Sequence, residues 1–95
     1  MANVLIDGEN VRRSTWPNLR RDELAARVAD WARRNGHDAA VVWEGRESAD
    51  DAIAARVRDL EPPVWVVTSD RELRRRVATH TARVIGGGSF LRDLA

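Results

Sequence analysis

The chain contains no cysteine and no lysine, and only two histidines occur among its 95 residues. Without cysteine there can be no disulfide, no thiolate nucleophile and no cysteine-based zinc site, and a reducing, cytoplasmic location is expected. Without lysine there is no Walker-type Gly-Lys pair, which excludes a nucleotide-triphosphate motor of that class. His37 follows a predicted helix and His80 lies near the end of another, so we expect both to be exposed to solvent rather than to act as ligands or bases.

Long apolar segments are also missing. No run of 18 apolar residues occurs, and Met1 leads directly into a strand-like Val4-Leu5-Ile6 run, so we expect neither a membrane span nor a targeting segment. The composition, 43% hydrophobic and 33% charged, is typical of a globular protein. At this length we expect one domain, residues 1–95, built around one modest core.

All 16 basic residues are arginine, and they face 15 acids, which gives a formal net charge of +1. Two interpretations of this bias remain open: a GC-rich genome, or a need for guanidinium groups that bind phosphates. If four aspartates form one acid site, 11 acids remain against 16 arginines, so the surface outside that site has a net charge of +5, which suits a polyanionic partner.

Four short apolar runs alternate with stretches of helical period, which predicts an α/β protein. Right-handed crossovers and short connections favour three α/β/α layers around a mainly parallel four-stranded sheet of order 2-1-3-4. The predicted strands are Val4 to Ile6, Ala39 to Trp43, Val64 to Thr68 and Arg83 to Ile85. The predicted helices run from about Leu19 to Asn35 before Gly36, from Ser48 through Leu60, from Ser69, and from Ser89 after three glycines.

In this strand order, strands 1 and 3 are neighbours whose following helices lie on opposite faces. Ligands of open α/β sheets bind beyond the carboxyl ends of the strands at such a point. Asp7 ends strand 1 and leads into an expected loop, and Asp70 follows strand 3. At 100° per residue Asp50, in the first turn of the second helix, faces the sheet, whereas Asp51 faces outward and suits a capping or supporting role.

Three carboxylates brought together would repel one another strongly unless a cation lay between them. Hard oxygen ligands favour Mg²⁺ or Mn²⁺, which can activate a water against a phosphodiester. Each aspartate could instead cap a helix. If Ser48 and Ser69 are the caps, however, Asp50 and Asp70 are free to act as ligands.

Three motifs follow one another along the chain: Leu5-Ile6-Asp7-Gly8-Glu9-Asn10-Val11, Glu47-Ser48-Ala49-Asp50-Asp51-Ala52-Ile53 and Val66-Val67-Thr68-Ser69-Asp70-Arg71-Glu72-Leu73, the last followed by Gly86 to Leu91. In this order they resemble a YacP-like NYN domain of the PIN-like nuclease superfamily, and the likeness runs from end to end. The resemblance implies a compact PIN-like fold and a metal-dependent ribonuclease that yields 5′-phosphate and 3′-hydroxyl products, with RNA, expected to be single-stranded, as its partner. It also places catalytic and metal-binding functions on Asp7, Asp50, Asp51 and Asp70, with Asn10 as a further catalytic residue.

The chain departs from the family pattern in one place. Relatives carry a longer insert after strand 2, whereas here Glu44-Gly45-Arg46-Glu47 joins that strand almost directly to the next helix. The alternative to a nuclease is therefore an RNA-binding module with weak or no catalysis. Glu44 is either a fourth metal ligand or a polar strand exit.

Four residues beside the predicted site are candidates for RNA phosphate contacts: Arg12, Arg13, Ser69 and Arg71. Trp16 either stacks on a base, as aromatic residues do in single-strand binding, or covers the first helix. Gly86-Gly87-Gly88 either cradles a phosphate or forms a tight turn. Arg74 to Arg76 are expected to form a solvated helix face.

Overall fold

The computed structural model describes residues 1–94, in which four strands alternate with helices. A short 3-10 turn, Ala78–His80, follows the fourth helix. The strands are β1 (Asn3–Asp7), β2 (Asp38–Val42), β3 (Val64–Val67) and β4 (Arg83–Ile85); the helices are α1 (Gly8–Arg12), α2 (Arg21–Asn35), α3 (Ala49–Arg56), α4 (Arg71–Val77) and α5 (Gly87–Leu94).

The sheet is parallel and has the order β2-β1-β3-β4, which confirms the predicted topology. Asp7 pairs with Val42 across the β1–β2 ladder, and Ile6 pairs with Val67 across the β1–β3 ladder. The carboxyl ends of these three strands therefore finish nearly level, and the residues that follow them share one edge of the sheet.

Alternation along β1 sends its side chains into two separate cores. Val4 and Ile6 pack on the face covered by α1, α2 and α5, whereas Leu5 packs on the face covered by α3 and α4. The helices that follow β1 and β3 thus lie on opposite faces, as predicted, and the architecture has three layers.

The first helix after β1 was not predicted. Asp7 leads at once into α1 rather than into a loop, and Val11 of this helix is fully buried. Gly8 is needed here for its size: a Cβ at this position would lie 2.5 Å from Cε3 of Trp43, and only Gly36 has a positive φ within residues 1–94. The close approach of the Trp43 ring therefore excludes a side chain at Gly8.

The ends of α2 and α3 differ in how well they follow local patterns. Gly36 ends α2 with φ +69°, as predicted, but the helix begins at Arg21, because Leu19 donates its backbone N–H to Arg12 at 3.0 Å and stays in the loop. Ser48 caps α3 as predicted by accepting from the N–H of Asp51 at 3.1 Å. The helix ends at Arg56 rather than near Leu60, because a turn closed by Asp59 follows.

The last helix begins before its expected cap. Phe90 donates its N–H to the carbonyl of Gly86 at 3.0 Å, so α5 starts at Gly87 and Ser89 lies inside the first turn. The prediction of Ser89 as the cap is therefore wrong. None of the helices in residues 1–94 is long and apolar enough to cross a membrane.

His37 lies at the amino end of the sheet, and its predicted exposure is wrong. The ring is half-buried between Trp31 and Trp65, with ring centroids 5.1 and 4.6 Å away, and its Nδ1 accepts the Ala2 N–H at 3.1 Å. His80 is exposed, as predicted. The difference arises because two tryptophans from other elements enclose His37.

Candidate active site

Asp7 is a buried acid at the end of β1, with 4% of its surface exposed. Its Oδ2 accepts a hydrogen bond of 2.9 Å from the hydroxyl of Thr68. Burial raises the pKa of Asp7 above its usual value; the Thr68 hydrogen bond opposes this, and the charges of Asp50, Asp70 and Glu44 add to it. No basic side chain within residues 1–94 forms an ion pair with Asp7, because every salt bridge among these residues involves another acid.

Thr68 connects the acids that follow β1 and β3. Its side chain is fully buried; Oγ1 donates to Asp7 and accepts the backbone N–H of Asp70 at 3.1 Å. From the sequence, Thr68 is expected as the last residue of a strand and as part of the third motif, with no role of its own. The available signal was a hydroxyl at the end of the buried Val66-Val67 run, where a polar group must find a partner.

Asp70, not Ser69, is the cap of α4. Its Oδ1 accepts the N–H of Leu73 at 3.0 Å, so the expectation that Ser69 caps this helix is wrong. Ser69 is engaged elsewhere, because its N–H donates to Oδ1 of Asn10 and its Oγ accepts the N–H of Gly87, both at 2.8 Å. Asn10 thereby holds the turn that carries Asp70.

Asp50 and Asp51 differ as the helical geometry predicted. Asp50 is half-buried, and its pKa is raised by burial and then by the charges of Asp70 and Glu44. The Asp51 side chain is 61% exposed and forms an ion pair of 3.0 Å with Arg76, whose hydrogen bond lowers the pKa of Asp51. Asp50 thus belongs to the acid group at the strand ends, while Asp51 bridges α3 to α4.

The charges of the acids influence one another, but the acids do not form a ready metal cage. Within residues 1–94 no three aspartate, glutamate or histidine side chains are arranged to hold one metal ion, so the predicted shared contact of Asp7, Asp50 and Asp70 is not formed in this arrangement. The donor chemistry nevertheless fits a hard cation, since burial and then neighbouring carboxylates raise the pKa values of Asp7 and Asp50. Mg²⁺ needs only one or two direct carboxylates and keeps several waters.

Comparison with known proteins finds the same architecture in a solved structure. No family model matches the sequence, and no curated protein matches it. The crystal structure of Rae1 (YacP) from Bacillus subtilis, a W164L mutant, aligns with a TM-score of 0.86 and 22% identity over 99% of this chain and 75% of that chain. The fold is YacP-like.

Two of the predicted phosphate-binding arginines of this YacP-like fold are engaged with Glu9. Arg12 lies 3.0 Å and Arg13 3.4 Å from the Glu9 carboxylate, and Arg21 approaches it to 2.7 Å. Arg12 is also the less accessible, with 21% of its side chain exposed against 64% for Arg13. Arg71 is exposed and has no ion pair within residues 1–94. Of the three predicted phosphate-binding arginines, Arg13 and Arg71 are thus the ones accessible to a ligand.

The structure also bears on the alternatives left open for Trp16 and for the three glycines. Trp16 is 88% exposed, so it does not cover a helix. Gly87 begins α5 so close to Ser14 that a Cβ would collide with the Ser14 hydroxyl, which favours the tight-turn interpretation of the glycines. The exposed Arg75 and Arg76 pair with Glu72 and Asp51, so their helix face is solvated but also bound by ion pairs.

Proposed function

We propose that this protein is a divalent-metal-dependent ribonuclease that hydrolyses RNA phosphodiester bonds with Mg²⁺ or Mn²⁺. The observation that carries the proposal is the environment of Asp7. Buried charges in proteins are normally paired with an opposite charge or bound to a metal. Among residues 1–94, Asp7 has only the Thr68 hydroxyl as a side-chain partner and carboxylates as charged neighbours, an arrangement that a cation would stabilise.

In this proposal Asp7, Asp50 and Asp70 hold the ion, Asp70 through Oδ2, because its Oδ1 caps α4. Asp51 and Asn10 support them, the first through its pair with Arg76 and the second by fixing the backbone of Ser69. The bound ion supplies an activated water and neutralises charge that develops on the phosphodiester.

The protein's own groups position the acids and the polymer. Thr68 keeps Asp7 and the turn that begins α4 in register, and the low exposure of Asp7 strengthens its interaction with a cation. Arg13 and Arg71 are accessible to phosphate. The resemblance to YacP-like NYN domains supports RNA as the polymer, in the cytoplasm, with 5′-phosphate and 3′-hydroxyl ends as products.

The test is Mn²⁺-dependent cleavage of single-stranded RNA by the wild type and by Asp7→Asn. The substitution keeps the shape and an acceptor for Thr68 but removes the charge, so cleavage is expected to fall by about 100-fold or more. Asp59→Asn is the matched control, because Asp59 is an exposed acid beyond the opposite end of α3. Equal cleavage by wild type and Asp7→Asn would contradict the proposal.

An RNA-binding module with weak or no catalysis is the second candidate. It is favoured by the arrangement of acid side chains in residues 1–94, which holds no three-ligand cage, and by the short Glu44 to Glu47 connection. Binding of RNA by the wild type without any Mn²⁺-dependent cleavage would select this candidate. The end groups of any product would separate a hydrolase of the proposed kind from contaminating ribonucleases that leave cyclic phosphates.

A further inference from the structure

A concave surface lies between the loop after α1 and two helices. It is a cleft of about 560 Å³ between residues 14–19, α2 and α5. This volume is within the range of roughly 300–1,000 Å³ that small-ligand sites occupy. We refer to it as the Trp16 cleft, because the indole of Trp16 forms part of its wall and is 88% exposed.

The loop that presents Trp16 is fixed at both of its ends. Ser14 donates its N–H to Val11 at 3.0 Å and its hydroxyl to the carbonyl of Asn10 at 2.9 Å. At the other end, the Leu19 N–H donates to Arg12, and Arg12 Nη1 donates to the Leu19 carbonyl at 3.3 Å. The indole is therefore held outside the core by a loop that is tied to α1, as a preformed stacking surface requires.

The cleft adjoins the turn that carries Asp70. Ser14 lines the cleft and lies against Gly87, whose N–H donates to the hydroxyl of Ser69. Ser69 directly precedes Asp70. Contacts through Ser14, Gly87 and Ser69 thus connect the cleft with the acid at the start of α4.

The walls of the cleft suit a nucleotide. Leu19 and Leu91 supply apolar surface, while Arg27 and Arg92 supply guanidinium groups. Arg27 is paired with Glu23 at 3.2 Å, but Arg92 donates only to the Ser89 hydroxyl and has no carboxylate partner within residues 1–94. Aromatic stacking beside a free cation is the arrangement by which single-stranded nucleic acids are bound without base-pair readout.

We infer that the Trp16 cleft is a nucleobase subsite, in which Trp16 stacks on an unpaired base of single-stranded RNA and Arg92 binds a phosphate. The inference rests on the proposed function for the identity of the polymer. It goes beyond that proposal by assigning a binding residue outside the acid site and by requiring an unstacked, single-stranded segment next to the cleaved bond. A rigid duplex cannot offer a base to the indole, so it is bound more weakly.

The test measures binding of a short fluorescein-labelled single-stranded RNA by anisotropy in EDTA, where cleavage plays no part. Trp16→Ala is expected to weaken binding roughly tenfold or more, the cost of losing one base–aromatic stack. Trp16→Phe is expected to stay close to wild type, because the ring is kept. Arg92→Ala should weaken binding and reduce its salt dependence by about one phosphate contact. Arg58→Ala is the matched control for lost charge, since Arg58 lines a different cleft at the amino end of the sheet.

Quenching of tryptophan emission by RNA is a measurement that a purely structural role of Trp16 would not change. Unlabelled RNA is expected to quench the emission of the wild type more strongly than that of Trp16→Phe, in which Trp43, half-buried against Gly8 beside Asp7, is the tryptophan nearest the acid site. Unchanged melting temperatures confirm that the variants are folded. Equal quenching of the wild type and Trp16→Phe would place the base elsewhere and overturn the subsite.

The remaining outcomes separate this inference from the proposed function. If Trp16→Ala binds RNA as tightly as the wild type, the subsite is refuted while an RNA-directed function stands. If the wild type binds no single-stranded RNA, the proposed function fails, and the subsite fails with it. Tighter binding of a duplex of the same sequence would also refute the subsite.

Discussion

The two ends of the sheet each bury an ionisable group, but they treat its charge differently. At the carboxyl end, burial and neighbouring acids raise the pKa of Asp7. At the amino end, burial lowers the pKa of His37, followed by the positive charges of the amino terminus and Arg83. In both places desolvation favours the neutral form.

The difference lies in what satisfies each group. Neutral His37 has both packing and a hydrogen-bond partner, because Trp31 and Trp65 enclose the ring and Ala2 donates its N–H to Nδ1. Asp7 has no cationic partner within residues 1–94, and burial and neighbouring acids disfavour its charged form. The amino end is therefore a stable packing arrangement, whereas the carboxyl end holds a carboxyl group whose charged form is destabilised, as functional sites commonly do.

The largest expected effect separates activity from stability at Asp7. Asp7→Asn should lower Mn²⁺-dependent cleavage by about 100-fold or more, beyond the loss seen for groups that only support a metal ligand. The same variant should melt above the wild type at pH 7, because it removes a buried, repelled charge. Since the folded pKa is raised, the wild type is relatively most stable below 3.8 and loses stability as the pH rises through the folded pKa.

Thermal melts of the wild type and Asp7→Asn, from below pH 3.8 to pH 7, check the direction in which the difference in stability changes. The gap between Asp7→Asn and wild type should widen as the pH rises. A variant that melts below the wild type at pH 7 would show that the Asp7 charge stabilises the fold, contrary to the comparison.

Thr68→Val should give the next largest effect. The change leaves the shape but removes the hydroxyl that joins Asp7 to the Asp70 backbone, so we expect roughly a 10- to 100-fold loss of activity and weaker Mn²⁺ binding. Leaving two buried groups without this partner should also cost about 1–3 kcal/mol. Thr81→Val is the control, because its hydroxyl donates to a helix carbonyl at the amino end of the sheet. Equal losses for both variants would remove the special role of Thr68.

Gly8→Ala tests how tightly the carboxyl end is packed. A Cβ 2.5 Å from the Trp43 ring forces that ring to move, at a cost of about 1–3 kcal/mol. In a domain of this size each kcal/mol lowers the melting temperature by about 4–8 °C. Gly45→Ala should leave the melting temperature unchanged, since nothing lies within 4 Å of its added Cβ. A Gly8→Ala protein as stable as Gly45→Ala would contradict the contact.

The smallest expected effect concerns His37. Because its folded pKa is lowered, its contribution to stability is present above its ordinary value of 6.5 and is lost as the pH falls through the folded pKa. His37→Gln should therefore flatten the decline of melting temperature below pH 6.5, whereas His80→Gln, at an exposed position, should not. Cleavage at pH 7 should be unaffected by either change, because both residues lie away from the acids.

The strand order and the positions of Asp7, Asp50 and Asp70 at one edge could be predicted, because they depend on apolar periodicity and on the handedness of crossovers. The cap of α4 could not. Ser69 and Asp70 are both good caps locally, and the choice falls on Asp70 because Asn10 and Gly87 occupy Ser69 from distant parts of the chain.

The environments of His37 and Trp16 also depend on tertiary contacts, which enclose the first side chain and leave the second exposed. A histidine after a helix is ordinarily exposed, yet His37 is enclosed because β3 brings Trp65 beside it. A tryptophan in a loop can either cover a neighbouring helix or remain exposed, and ties between the loop and α1 hold Trp16 in solvent. In both cases residues far away in sequence decide the environment of the side chain.

The sequence by itself determined the α/β architecture, the sheet order and the edge at which the acids gather, since spacing along the chain and chirality are local properties. Only the tertiary structure decided that Thr68 joins Asp7 to Asp70, that Glu9 engages Arg12 and Arg13, and that a cleft opens under Trp16. Such pairings depend on which groups from distant segments come within hydrogen-bonding or van der Waals distance, and no local pattern encodes that distance.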